Sequence, residues 1–337
     1  MINLAFLAKY QEPVRQRLAE VLQGGDPIRH ILRYHVGIES RRGKPEVRTG
    51  KMLRPSLTLF MAEQLGAEDR CSLHAAVALE LIHNFSLIHD DIEDNDKLRR
   101  GHPAVWDLIG VPKAINAGDL MITLALLEGV TAGTEVVQCL LEAMRDMVDG
   151  QALDLEYESQ WTSPEEYRAM ILLKTGALFR CAFELPGIIA GADEETERRL
   201  GAFGEELGML FQIRDDVLGI WGTTADLGRK PGSDLVKKKK SYPLVAAHQR
   251  ANETEQRQLE RAMGTATNTE TDVAGVVKLL NRLGIRADAD AQMGEHRARA
   301  EEHLRFLPIA ASAKDVLLEL FVQLEPSVAE NGPGTVL

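Results

Sequence analysis

Cysteine is scarce in this 337-residue chain: there are three, Cys71, Cys139 and Cys181. An odd trio inside helical patterns, without metal-ligand spacing, excludes a disulfide scaffold and a zinc site. Basic residues are also in deficit, 39 against 51 acidic ones, for a net charge of −12. Such a charge makes nucleic acid an unfavourable partner, and an anionic substrate gains nothing from the overall field, so local cations must attract it. No apolar run reaches the ~18 residues needed to span a bilayer. The short stretch Leu4 to Leu7 lacks a basic leader and a cleavage site, so a cytoplasmic protein with no membrane span is expected. Nor is there a Pro/Gly/Ser linker. One domain over residues 1–337 is therefore expected, with a frayed tail from Ser327 to Leu337.

What is present is helical. With 45% hydrophobic residues, the chain has material for a large core, arranged in windows of helical period: Ala75 to His89, Ala117 to Val130, Val136 to Val148, Pro164 to Phe183 and Glu194 to Leu210. The expected fold class is all-α.

Two of these windows end in paired carboxylates. Asn84-Phe85-Ser86-Leu87-Ile88 runs into His89-Asp90-Asp91-Ile92-Glu93-Asp94, and Gly208-Met209-Leu210-Phe211 into Gln212-Ile213-Arg214-Asp215-Asp216. Adjacent aspartates emerging from an apolar interior repel unless a cation compensates them. Asp90 and Asp94, four apart, share one helix face at roughly 5–6 Å. Oxygen-only ligands favour magnesium, which binds one or two carboxylates and commonly substrate phosphates as well.

Cations accompany the acids. Lys97, Arg99 and Arg100 follow the first cluster, where Gly101 and Pro103 are expected to end the helix. Lys51 and Arg54 form a second group, and Lys174 and the run Lys237 to Lys240 add more. Arginine grips phosphate oxygens in bidentate fashion. Acid, metal and base together suit a diphosphate.

In this order the residues resemble the trans-isoprenyl diphosphate synthases, or polyprenyl synthetases. The likeness runs through Gly50-Lys51 with Arg54-Pro55, Leu79-Glu80-Leu81-Ile82-His83, Asp90, Asp91 and Asp94 with Arg99-Arg100-Gly101, and Ala117-Gly118-Asp119. It continues through Gly150-Gln151 with Asp154, Lys174-Thr175, Phe211-Gln212 with Asp215-Asp216, and Lys230-Pro231 with Asp234 and Lys239. The resemblance implies a bundle of antiparallel helices around a central cavity, the isoprenoid synthase fold, and a homodimer. It also implies condensation of isopentenyl diphosphate with an allylic diphosphate after magnesium-assisted ionisation. Asp90, Asp94 and Asp215 would hold magnesium, more than one ion per site, with Asp91 and Asp216 as outer or alternate ligands. Arg99, Lys174 and Lys239 would complete the allylic site, which Thr175 and Gln212 border. Lys51, Arg54, His83 and Arg100 would bind isopentenyl diphosphate.

Product length is partly legible. If Asp90 marks the diphosphate end, Ser86 and Phe85 lie roughly 6–7.5 Å further along the same helix. One aromatic with a small neighbour there resembles geranylgeranyl diphosphate synthases; farnesyl or longer products are the alternative, and Phe85 as plain core packing is another. Gly219 stands where many members carry a third aspartate, which thins the second clamp. A class I terpene cyclase, which has no use for a second diphosphate site, and a non-catalytic partner subunit, which would lose aspartates, are the competing readings.

Overall fold

Apolar residues at helical spacing, rather than strong end signals, carry most of the chain into helix. The computed structural model describes residues 5–48, 50–222, 233–236, 238–264 and 270–324. The helices are α1 (Ala8–Val21), α2 (Pro27–Val36), α3 (Leu53–Leu65), α4 (Asp69–Glu93), α5 (Val105–Ile109), α6 (Val111–Ala132), α7 (Thr134–Glu158) and α8 (Pro164–Ile171). They continue with α9 (Ala177–Ala190), α10 (Glu194–Trp221), α11 (Ser233–Val236), α12 (Tyr242–Arg250), α13 (Glu253–Gly264), α14 (Glu270–Arg282), α15 (Ile285–Phe306) and α16 (Ala311–Leu324). A π turn, Leu172–Gly176, joins α8 to α9. The all-α class holds, because the only sheet among the described residues is a hairpin of β1 (Leu98–Arg99) and β2 (His102–Pro103).

α4 is the axis. Every residue from Ala75 to Ile82 is buried, and the helix packs against α3, α6 and α9. α10 packs against α9 and α15. Phe183, Phe203 and Phe321 stack edge to face at 4.8 and 5.7 Å, and each fully buried side chain of this size contributes roughly 1.5–3 kcal/mol. Where α9 meets α10 the backbones touch: a Cβ at Gly204 would lie 2.5 Å from the Phe179 carbonyl oxygen, and one at Gly208 would lie 2.9 Å from Gly176 Cα. At Gly150 of α7 a Cβ would lie 2.3 Å from the Lys174 nitrogen. The π turn is thus pressed between α7 and α10.

Three expectations need correction or placement. The acidic helix does not run on to Gly101; α4 ends at Glu93, and residues 98–103 form the hairpin. Carboxylates crowding a helix C-terminus oppose its dipole, and Asn95 turns left-handed (φ 54°), which breaks the helical path. Two helices, Asp69–Glu93 and Val111–Ala132, are in fact long and apolar enough to cross a membrane by length and composition. The apolar window of α4 is 72% buried inside the fold, that of α6 only 44%. The tail expected at 327–337, together with Lys230, Pro231 and Lys237, lies outside the described residues.

Candidate active site

The helices surround a cleft of about 1620 Å³. α4 lines it with Glu80, His83, Phe85, Ser86, His89 and Asp90, and Asp94 caps its C-terminal end; α10 lines it with Gln212, Asp215 and Asp216. The π turn supplies Lys174 and Thr175, the segment entering α3 supplies Lys51 and Arg54, and the hairpin supplies Arg99 and Arg100. Lys239 completes the lining from the segment before α12. Every residue expected in the site except Asp91 therefore borders one cleft.

Backbone strain gathers here as well. Met52, Asn95, Arg100 and Lys238 are the described non-glycine residues with left-handed φ, between 46° and 59°, and all four line the cleft. Each such residue costs on the order of 1–2 kcal/mol, a strain that the fold sustains most often at functional sites. Gly50 makes room for one of them, since a Cβ there would sit 2.6 Å from Arg100 Nη2.

The carboxylates divide into two kinds. Asp91 is buried, and its Oδ1 accepts from both Arg99 Nε at 2.9 Å and Nη2 at 2.5 Å, so it steers Arg99 and does not border the cleft. Asp216 is also buried, and it accepts from Tyr167 Oη at 2.6 Å, Gln212 Nε2 at 2.9 Å and the Tyr242 nitrogen at 3.1 Å. Thr175 donates to Gln212 Oε1 at 3.0 Å, which ties the π turn to α10. Burial raises the affinity of both carboxylates for protons, against these partners. Asp90, Asp94 and Asp215 remain at the mouth. Asp94 is pushed up to about 6 by burial and by the charge of Asp90. Lys174 reaches Asp154 at 2.5 Å and Asp90 at 3.5 Å. Among the described residues, no three His, Cys, Asp or Glu groups form a metal cage. Gly219 is buried one turn beyond Asp215.

The second cationic group has another character. Arg54 lies with its guanidinium 4.4 Å from the Phe179 ring centroid, and its buried Nε has no hydrogen-bond partner. Burial lowers it to about 10, with Glu80 and Asp215 acting the other way. Burial also lowers Arg100, and burial with the fields of Arg54 and Arg100 keeps His83 neutral. This wall holds positive charge with little carboxylate to balance it, so it is built to receive an anion.

Some participants were not assigned from the sequence. Asp154 anchors Lys174, Gln151 donates to Glu93 Oε2 at 2.6 Å, and Tyr167 holds Asp216. Gln151 and Asp154 stand three apart on α7, a polar pair on one face that could have signalled a role. Lys240 is another: its ammonium donates to the carbonyls of Glu158 at 2.7 Å and Gln160 at 2.8 Å, at the end of α7. That contact fixes the segment carrying Lys239.

An all-helical cup with carboxylates at its mouth and desolvated arginines in its wall is the class of enzyme that handles diphosphates. Residues 44–280 match the polyprenyl synthetase family. The chain is 35% identical over 304 residues to a (2E,6E)-farnesyl diphosphate synthase of Mycobacterium tuberculosis, covering 87% of this chain and 85% of that one. It is 32% identical to a geranylgeranyl diphosphate synthase of Saccharolobus solfataricus, covering 81% and 85%. The crystal structure of a polyprenyl synthetase from Streptomyces coelicolor superposes with a TM-score of 0.89 at 33% identity, covering 95% of this chain and 98% of that one. The chain belongs to the polyprenyl synthetase family, the trans-isoprenyl diphosphate synthases, and is a prenyltransferase with the isoprenoid synthase fold.

Proposed function

We propose that this enzyme condenses isopentenyl diphosphate head-to-tail with an allylic diphosphate and makes chiefly geranylgeranyl diphosphate. The observation that carries the two-substrate reading is the presence of two unlike cationic groups on one cleft. Lys174, Lys239 and Arg99 lie among carboxylates and suit a diphosphate bound with metal. Lys51, Arg54 and Arg100, with the neutral His83 beside them, have Glu80 as their nearby carboxylate and suit a diphosphate bound without metal. A cyclase needs only the first, and a non-catalytic subunit needs neither.

The donor set fits magnesium: Asp90, Asp94 and Asp215 offer hard oxygen alone, and the repulsion from Asp90 that adds to burial in raising the Asp94 carboxyl is one that a bound cation would relieve. When bound, magnesium neutralises the leaving diphosphate as the allylic C–O bond breaks. Lys174, held by Asp154, and Arg99, held by Asp91, are aimed at the same charge and need little reorganisation as it develops. Phe85, Leu178 and Phe211 of the cleft lining would shield the allylic cation from water. The double bond of isopentenyl diphosphate then attacks, and the departing diphosphate takes the proton, so no side-chain base is required.

Phe85 supports the product assignment, being 4% exposed with the smaller Ser86 beside it in the cleft lining. Relatives named for farnesyl and for geranylgeranyl products leave this choice to experiment. A homodimer formed through α6 and α7, one domain and a cytoplasmic location belong to the same proposal. The exposed apolar residues of α6 and α7 support the dimer, and free cysteines suit a reducing compartment.

The test is incubation with magnesium, isopentenyl diphosphate and dimethylallyl, geranyl or farnesyl diphosphate, followed by sizing of the dephosphorylated alcohols. Geranylgeraniol is the expected main product. A hydrocarbon made without isopentenyl diphosphate would establish the cyclase, and activity only after a partner is added would establish the subunit.

A further inference from the structure

We propose that His89 is a specificity-determining residue, whose ring braces Phe85 and so helps to set product length. This rests on the prenyl-elongation reading above and names a part of the cleft that neither metal nor diphosphate binding uses. His89 follows Phe85 by one turn of α4, so the two share a face. Their rings meet edge to face, with centroids 5.7 Å apart and planes at 75°. Both line the cleft. His89 leans on α6 at a position without a side chain: a Cβ at Gly118 would lie 2.2 Å from His89 Nε2 and 2.7 Å from Cδ2. Nε2 also stands 3.4 Å from the Ile115 carbonyl oxygen, a loose contact beside which the ring packing is the closer fit.

The geometry gives the ring a mechanical task. Side chains on a helix lean toward its N-terminus, so His89 leans over Phe85 from the diphosphate end, where a growing chain would enter. Gly118 leaves the imidazole a seat against α6, and a ring seated there flanks the Phe85 side chain. Removing the ring gives Phe85 space to turn into, which lets the floor recede. Filling the seat does the reverse, because a methyl group at position 118 must displace the imidazole, the movable partner, toward the cleft.

Product sizing of His89→Ala, Gly118→Ala, His89→Phe and Phe85→Ala, with purified protein and the same magnesium and diphosphate mixture, tests this. His89→Ala is expected to lengthen the main product by one or more isoprene units, and Gly118→Ala to shorten it. His89→Phe, which keeps a ring but no titratable nitrogen, is expected to retain the parent length. His89→Ala combined with Phe85→Ala is expected to give the length of Phe85→Ala alone, since neighbouring side chains acting as one unit are non-additive. Unchanged lengths in both His89→Ala and Gly118→Ala, or shifts in the same direction, would overturn the inference. If His89→Ala does not fold, by circular dichroism, the pair Gly118→Ala and His89→Phe decides: a parent length in the first or an altered length in the second overturns it. Failure of the unsubstituted enzyme to consume isopentenyl diphosphate would instead overturn the proposed function.

Discussion

Asp90 and Asp91 are neighbours in sequence with different roles in the fold. Asp90 stands at the mouth of the cleft, 22% exposed at its side chain, whereas Asp91 is 1% exposed and paired with Arg99 through Oδ1. A helix turns successive residues by about 100°, so only one of two adjacent aspartates can face a given surface. Asp90→Ala is therefore expected to lower turnover by about 10²-fold or more while the far-ultraviolet circular dichroism stays unchanged; near-normal turnover would refute the metal role. His35 illustrates a second residue-scale consequence. It is buried at the end of α2, and burial with the fields of Arg100 and Arg99 lowers it from 6.5 to about 3. The unfolded chain takes up that proton more readily, so the stability due to the neutral ring is complete above about pH 6.5. It is lost as the pH falls toward about 3, at up to ~1.4 kcal/mol per pH unit. His83 acts in the same direction. Urea unfolding between about pH 7 and pH 5 should show this decline, and His35→Gln should flatten it. An identical slope in His35→Gln would remove His35 from the account.

Elements differ in how plainly the sequence announces them. The long helices follow from apolar period, and the windows ending at His89 and Leu210 lie inside α4 and α10. The hairpin at 98–103 was hidden, because strands of two residues have no periodicity to read. The π turn was hidden for another reason: the window Pro164 to Phe183 is helical throughout, and a locally widened turn leaves no mark in it. Yet that turn carries Lys174 and Thr175. Most candidate site residues were legible because acid and base at helix ends conflict with an apolar pattern; the role of Asp154, though it stands in a motif, and Tyr167 altogether were not, because their partners are far away in sequence. Gly150 marks how the π turn is held. A methyl group there would meet the Lys174 nitrogen, Lys174 Cα and Leu173 carbonyl carbon at 2.3, 2.7 and 2.8 Å, all backbone, so the turn itself must shift. Gly150→Ala is expected to destabilise the protein by about 1–3 kcal/mol and to lower kcat more than it raises KM for isopentenyl diphosphate, whose proposed site is the other cationic wall. A normal kcat would show that the position of Lys174 tolerates the shift.

At the scale of the molecule, one face of the bundle is unfinished. Val130 on α6 is 66% exposed and Leu127 59%, and Leu141 on α7 is 41% exposed. Scattered exposed leucines need no explanation, but several on two adjoining helices form a patch of the kind that partners cover. α6 is also apolar enough to fit a bilayer by composition while less than half of its apolar window is buried, so the monomer leaves much of that helix in water. A second copy of the chain is the occupant proposed above, and it would meet α6, the helix that packs against α4 and seats His89. In that assembly dimerisation and product length would be linked through one element. Leu127→Glu with Val130→Glu places like charges on both sides of a two-fold contact, where each faces its own copy or a neighbour of the same sign. Sedimentation velocity is expected to show a dimer for the unsubstituted chain and a monomer for the double variant. A dimer that survives both charges would move the interface away from α6, and a monomeric unsubstituted chain would refute the assembly altogether.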